Sequence, residues 1–170
     1  MDKTTKQALE EACRSLFTLA RERDTAVTLE SLIAAAQDLL SKPVRLRRAD
    51  FGATEIFGIW LELPESHTIL FDESASPAHQ SHIIQHELGH ILLGHRSVSA
   101  LRCDRQPVEQ CRLMLRHNPV DEREAEAEAF AIQMTRMLQT ESWRHPVPAE
   151  TEVARRIWNT LAEEHLIDRF

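Results

Sequence analysis

The amino-acid sequence predicts an α+β domain: a small, mostly antiparallel sheet packed on one buried helix, with further helices at both ends. Three observations carry this. Residues 44–72 are rich in Val, Ile, Trp and Phe and read as strands. The segments on either side repeat apolar residues at three- and four-residue spacing, the period of a helix with one buried face. The strands are also grouped together and do not alternate with helices, which is the α+β order. A chain of 170 residues can bury one real core but rarely divides into two. Residues 1–170 are therefore expected to form a single domain, with N-terminal helices over 1–42, a core over 43–140 and a C-terminal helix over 148–166.

The elements follow in order. From Thr5 to about Arg21, Ala8, Leu9, Ala12, Leu16, Leu19 and Ala20 share one helical face. Thr28 is a plausible N-cap for a second helix from Leu29 to Leu40, and Pro43 lies just past its end. Strands are expected at Val44 to Phe51, Glu55 to Leu63 and His67 to Asp72, the last two joined as a hairpin through Pro64, Glu65 and Ser66. Ser76 and Pro77 supply a cap and a first-turn proline for a third helix that runs without a breaker to near Gly94. Residues 96–118 hold no sustained period and contain Pro107, so they read as a long irregular connection. Asn118 and Pro119 repeat the cap-and-proline signal for a fourth helix to about Leu138. After a break at Trp143 to Pro148, Glu150 to His165 reads as a last amphipathic helix.

Composition narrows the function classes. With 42% hydrophobic and 28% charged residues the chain has ordinary globular composition, without the signature of disorder. A net charge of −7 argues against duplex nucleic acid as the partner, since binding phosphates needs a basic face. Arg45, Arg47 and Arg48 form a short basic cluster that is most simply a solvated strand face. No apolar run reaches the roughly 18 to 20 residues of a membrane span. The charged N-terminus lacks the apolar core of a secretory signal, so a cytoplasmic location is expected. The three cysteines, at 13, 103 and 111, are odd in number and unpaired in spacing, and read as free thiols.

Chemistry enters in the third helix, where His86, Glu87, Leu88, Gly89 and His90 form H-E-x-x-H. Histidines four apart lie one above the other on a helix and can reach a single tetrahedral zinc ion, while the intervening Glu can reach a water at that site. There it can take the proton as the water attacks a carbonyl and hand it to the leaving amine. A buried helix does not normally carry such groups in a row without a use for them.

A hydrolytic zinc site takes three protein ligands and a water. The metzincin continuation would require Gly at 93 and His at 97, where this chain has Leu93 and Ser97. His95 is out of register, about half a turn around the helix from His86 and facing away from the metal, and reads as a partner of the helix C-terminus. The fourth helix offers Glu122, Glu124, Glu126 and Glu128. Glu124 and Glu128 border the apolar face of Ala127, Phe130, Ala131, Met134 and Leu138, and Glu122 and Glu126 are expected in solvent. One acid of the first pair can bind the metal, and the other can orient a ligand histidine through its second ring nitrogen, the gluzincin arrangement on a zincin-like minimal core.

H-E-L-G-H-I-L-L-G-H, followed by E-A-E-A-E-A-F-A from Glu124 to Ala131, resembles the ImmA/IrrE family of small cytoplasmic zinc metallopeptidases. The likeness spans about residues 28–140, including the strands with Gly58 and Trp60 and with Ile69 to Asp72. It implies that His86, His90 and Glu124 bind zinc, that Glu87 is the catalytic base, and that Glu128 stands at the family's Asn/Asp position. The family's Leu-Leu-Met-Pro is replaced by Ile132, Gln133, Met134 and Thr135. It further implies a substrate: a helix-turn-helix repressor of the phage-repressor type, encoded nearby, whose cleavage releases a stress, mobile-element or toxin–antitoxin programme.

The chain has no Tyr, so the oxyanion of such a cleavage must be met by His, Arg or backbone. Arg116, His117, Arg144 and His145 are the candidates, His117 foremost, and His82 is a candidate fourth ligand or gate. Two functions remain open: a zinc endopeptidase, with substrate added as a strand along the sheet edge, and a regulator that holds zinc and sequesters a repressor without cutting it. The acid at position 87 favours the first.

Overall fold

The computed structural model describes residues 3–24, 26–52, 56–95, 98–99, 122–144 and 167–168, with 98–99, 142–144 and 167–168 described as backbone. Among the described residues, four helices, α1 (Lys3–Arg23), α2 (Leu29–Leu40), α3 (Pro77–Leu92) and α4 (Glu122–Arg144), accompany five strands: β1 (Val44–Ala49), β2 (Gly58–Glu62), β3 (His67–Asp72), β4 (Val98–Ser99) and β5 (Ile167–Asp168). The α+β class is therefore correct. No helix among the described residues is long and apolar enough to cross a membrane.

The sheet has the order β4-β2-β3-β1-β5. The expected hairpin is present, with β2 antiparallel to β3 and Trp60 opposite Ile69. The sheet is nevertheless not mostly antiparallel. β1 runs parallel to β3, β5 parallel to β1, and β4 parallel to β2. After β1 the chain crosses to the far side of the sheet, and the hairpin then folds back to insert β3 beside β1. All six residues of β3 are buried, the unbroken run of a central strand covered on both faces. Trp60, Ile69 and Leu46 form a row facing the helical core, whereas Ile59, Leu61 and Leu70 join Ala49 and Phe51 in a cluster on the other face.

Local chemistry sets the helix starts and stops. Thr28 caps α2 in a reciprocal box with Ser31. Asp72 accepts from Ser74 N–H and Oγ at 2.9 and 2.8 Å, and Gln80 donates to three carbonyls of residues 72–75. The turn from β3 into α3 is thereby tied from both sides, and Ser76 caps the helix with Pro77 in its first turn. Cys13 is free and buried in α1, and burial pushes its thiol up to about 12; Cys103 and Cys111 lie outside the described residues.

α3 packs on β2 and β3 and, along its length, on α4, while α1 lies against α2 and α4. α3 and α4 run antiparallel, as the contacts of His82 with Glu128 and of His90 with Glu124 show. The helices approach closely at Gly89, where a Cβ would lie 3.1 Å from Phe130. The apolar face expected of α4 is there: Ala127, Phe130, Ala131 and Met134 are fully buried. α4 continues past Leu138 to Arg144, through the expected break at Trp143. Buried Glu141 holds this extra turn against α1, because Arg21 Nη2 donates to both its carboxylate oxygens at 2.9 and 3.0 Å. The expected cap at Asn118 and the helix over 148–166 lie outside the described residues.

Widening the contact at Gly89 should loosen the molecule. Gly89→Val places two further carbons where one already crowds Phe130, and should lower unfolding free energy in urea by about 1–3 kcal/mol. Unchanged stability would show that the helices have room there.

Candidate metal centre

The α3–α4 contact carries three ligating groups to one point. His86 and His90, one turn apart on α3, bring their Nε2 atoms to 3.1 Å from each other. Glu124, in the first turn of α4, places Oε2 3.3 Å from His86 Nε2 and Oε1 3.5 Å from His90 Nε2. The three ligand atoms lie within 4.8 Å of one another and could hold a metal ion. A carboxylate and two imidazole nitrogens turned toward one another are mutually repulsive as bare acceptors, and a shared cation or bound protons remove that repulsion. The donor set, two imidazole nitrogens and one carboxylate oxygen, suits zinc and other divalent transition metals.

The surrounding groups tune these ligands. The close approach of the His86 and then the His90 ring nitrogens holds the Glu124 carboxyl far below the ordinary carboxylate range, against a smaller opposing effect of burial. For His86, burial pulls the pKa down, but the bond to Glu124, the charges of Glu87 and Glu124 and the bond to Glu128 outweigh it, and the net direction is up. Glu128 Oε2 lies 3.4 Å from His86 Nδ1 and 3.0 Å from His82 Nε2. Glu128 is thus within reach of the second ring nitrogen of His86, and His82 bonds to the same carboxylate oxygen.

Glu87 lies on the sheet side of α3. Burial drives its pKa up, partly offset by the charges of His90 and His86 and by a hydrogen bond from the Trp60 backbone. Gly58 makes the approach feasible, because a Cβ there would sit 2.5 Å from Ile83 Cγ2 and 2.8 Å from Glu87 Oε1. A cleft of about 410 Å³ opens between His86, Glu87 and Glu124 on one wall and Ile56, Phe57 and Gly58 on the other. Phe57 is exposed and stands 5.1 Å, ring to ring, from His79.

Two expectations need correction. His95 does not face away from the centre: its Nδ1 is 2.9 Å from His90 Nδ1. Glu126 is not in solvent: its Oε2 lies 3.0 Å from His95 Nε2, and its side chain is 17% exposed. The half-turn offset assumed that α3 continues, but α3 ends at Leu92 and Gly94 adopts φ +69°. His95 N–H then bonds to His90 O and Gly94 N–H to Ile91 O, a Schellman closure that turns the chain back. Burial lowers the pKa of His95, with the Glu126 bond opposing. His117, Arg116 and His145 lie outside the described residues, as does the side chain of Arg144.

No protein-family model, curated protein or solved structure matches the chain.

Glu124 and Glu122 stand two residues apart, but only Glu124 meets the histidines. Glu124→Ala should abolish stoichiometric zinc retention after dialysis while Glu122→Ala leaves it intact, as elemental analysis would read; equal retention would remove Glu124 from the ligand set.

Glu87 binds its proton more tightly folded than unfolded, so its contribution to stability falls as pH rises from the ordinary carboxylate range through its raised value. In metal-free protein Glu87→Gln should therefore melt higher than the native chain at pH 7, with the gap closing near pH 4. A lower melting temperature at pH 7 would contradict this burial of charge.

Proposed function

We propose that this chain is a zinc-dependent endopeptidase that cleaves a helix-turn-helix, phage-repressor-like transcriptional repressor. The observation that carries the catalytic reading is the position of Glu87. A carboxylate buried against a strand edge costs stability, and here it borders the same cleft as the convergent ligands. A site that only held a metal has no need of it. The packing of α3 on β2 and β3, with the ligand helix α4 behind, is what a zincin-like core requires.

His86, His90 and Glu124 would hold the zinc, which when bound supplies Lewis-acid polarisation of the scissile carbonyl and acidifies water. The protein's own groups do the rest. Glu87, fixed by the Trp60 N–H, accepts the proton of the attacking water and delivers it to the leaving nitrogen. Glu128 accepts from His86 Nδ1–H and so keeps His86 Nε2 free for the centre. Among the described residues, the outer edge of β2 pairs with β4 at Leu61 and Glu62. Ile56, Phe57 and Gly58, leading into β2, border the cleft, and an extended substrate segment can add there as a further strand. Exposed Phe57 beside it offers an apolar contact for a substrate side chain.

The repressor as substrate, and the stress, mobile-element or toxin–antitoxin programme it would release, rest on the likeness of H-E-L-G-H-I-L-L-G-H and E-A-E-A-E-A-F-A to the ImmA/IrrE pattern.

Co-incubation with the repressor encoded beside it should yield two fragments by mass spectrometry, and none with Glu87→Gln, which should keep its zinc. Zinc-loaded Glu87→Gln that still cuts would refute the catalytic role; relief of repression by that variant without cutting would establish the sequestering regulator instead.

A further inference from the structure

The two ligand histidines are steadied in different ways. His86 meets a carboxylate directly, through Glu128. His90 meets another imidazole. Its Nδ1 lies 2.9 Å from His95 Nδ1, the rings are edge to face at 5.0 Å between centroids, and His95 Nε2 reaches Glu126 Oε2 at 3.0 Å. The pair is well enclosed, with side-chain exposures of 6% for His95 and 17% for Glu126. The Schellman closure at Gly94 fixes His95 through its backbone, and Glu126 fixes its ring.

Proton counting along this chain leaves one arrangement for neutral rings. An ionised carboxylate only accepts, so His95 Nε2 carries the hydrogen. A neutral His95 then has a bare Nδ1, which must accept, and the donor facing it is His90 Nδ1–H. His90 therefore has a bare Nε2, the atom turned toward His86 and Glu124. With the opposite tautomer of His95, the hydrogen of His90 would sit on Nε2 and point into the centre.

We propose that His95, held by Glu126, is the positioning residue that fixes His90 in the tautomer presenting a bare Nε2 to the metal centre. The inference rests on the reading of His86, His90 and Glu124 as that centre. It adds two residues outside the ligand set as determinants of metal affinity. Glu126, two residues from Glu124 on α4, acts through an imidazole just past the C-terminus of α3.

Two measurements on the full chain test this. In metal-free native protein at pH 8, the ¹⁵N shifts of His90 should show a protonated Nδ1 and an unprotonated Nε2; the reverse assignment overturns the proposal whether or not the site binds zinc. Competition with a chromophoric chelator then reads zinc affinity. His95→Phe keeps a ring without an acceptor and should weaken zinc by about 10–100-fold. His95→Asn, whose Oδ1 can accept from His90 Nδ1–H, should recover much of that loss. Glu126→Gln, which no longer dictates the His95 tautomer, should show a mixed His90 ¹⁵N pattern. Unaltered zinc affinity in folded His95→Phe, or equal losses in the Phe and Asn variants, would overturn the proposal. Native protein whose zinc is indifferent to Glu124→Ala would overturn the metal-centre reading instead, and the His90 shifts would still decide the tautomer.

Discussion

Everything at the centre depends on how closely α3 and α4 approach. Gly89 against Phe130 removes the thickness of a side chain from the interface, and the Thr135 hydroxyl donating to buried Gln85 at 3.0 Å sets how the two helices slide past one another. Once that register is fixed, the first turn of α4 falls opposite the last two turns of α3, and Glu124 meets both histidines. A glycine in mid-helix costs about 1 kcal/mol relative to alanine. Here the close approach it permits offsets that cost. The same economy of volume recurs at Gly58, where the missing Cβ admits Glu87 to the edge of β2.

The site is an accumulation of charge that the fold organises on two flanks of one helix. At 100° per residue, the buried face of α4 is centred between Ala127, Phe130, Ala131 and Met134, and Glu124 lies about 70° to one side of it. Glu126 lies about 90° to the other side. Both are therefore margins of the buried face, and alternating Glu with Ala lets a slender helix present acids on each. On one margin Glu124 and Glu128 serve His86, His90 and His82; on the other Glu126 serves His95. Each of the two convergent imidazoles thus has an outer partner, an arrangement suited to directional metal binding.

Much of this was legible in the residues. Thr28, Ser76 and Pro77 announce their helices by local hydrogen bonding, and the β2–β3 hairpin follows from two apolar runs closed by Pro64 and Glu65. H-E-x-x-H and the Glu124/Glu128 pair follow from helical periodicity alone. What was not legible came from contacts between distant segments. The parallel docking of β1 on β3 and the pairing of β4 and β5 depend on where the chain crosses, not on any strand's own pattern. The extension of α4 depends on Arg21, 120 residues away from Glu141. His95 is different, because the signal was present. Gly94 after an apolar helix end is a C-terminal closure, and that closure returns the next residue onto the last turn. Glu126 was expected in solvent, yet it lies on the opposite margin of that buried face, at an angle comparable to that of Glu124.

Binding of one metal ion by His86, His90 and Glu124 together can be read from a zinc K-edge X-ray absorption spectrum of the loaded protein. Coordination by all three groups gives a shell of nitrogen and oxygen at about 2.0–2.2 Å, with the outer scattering of two imidazole rings and no sulfur. A sulfur shell near 2.3 Å, or the scattering of one ring or none, would contradict it.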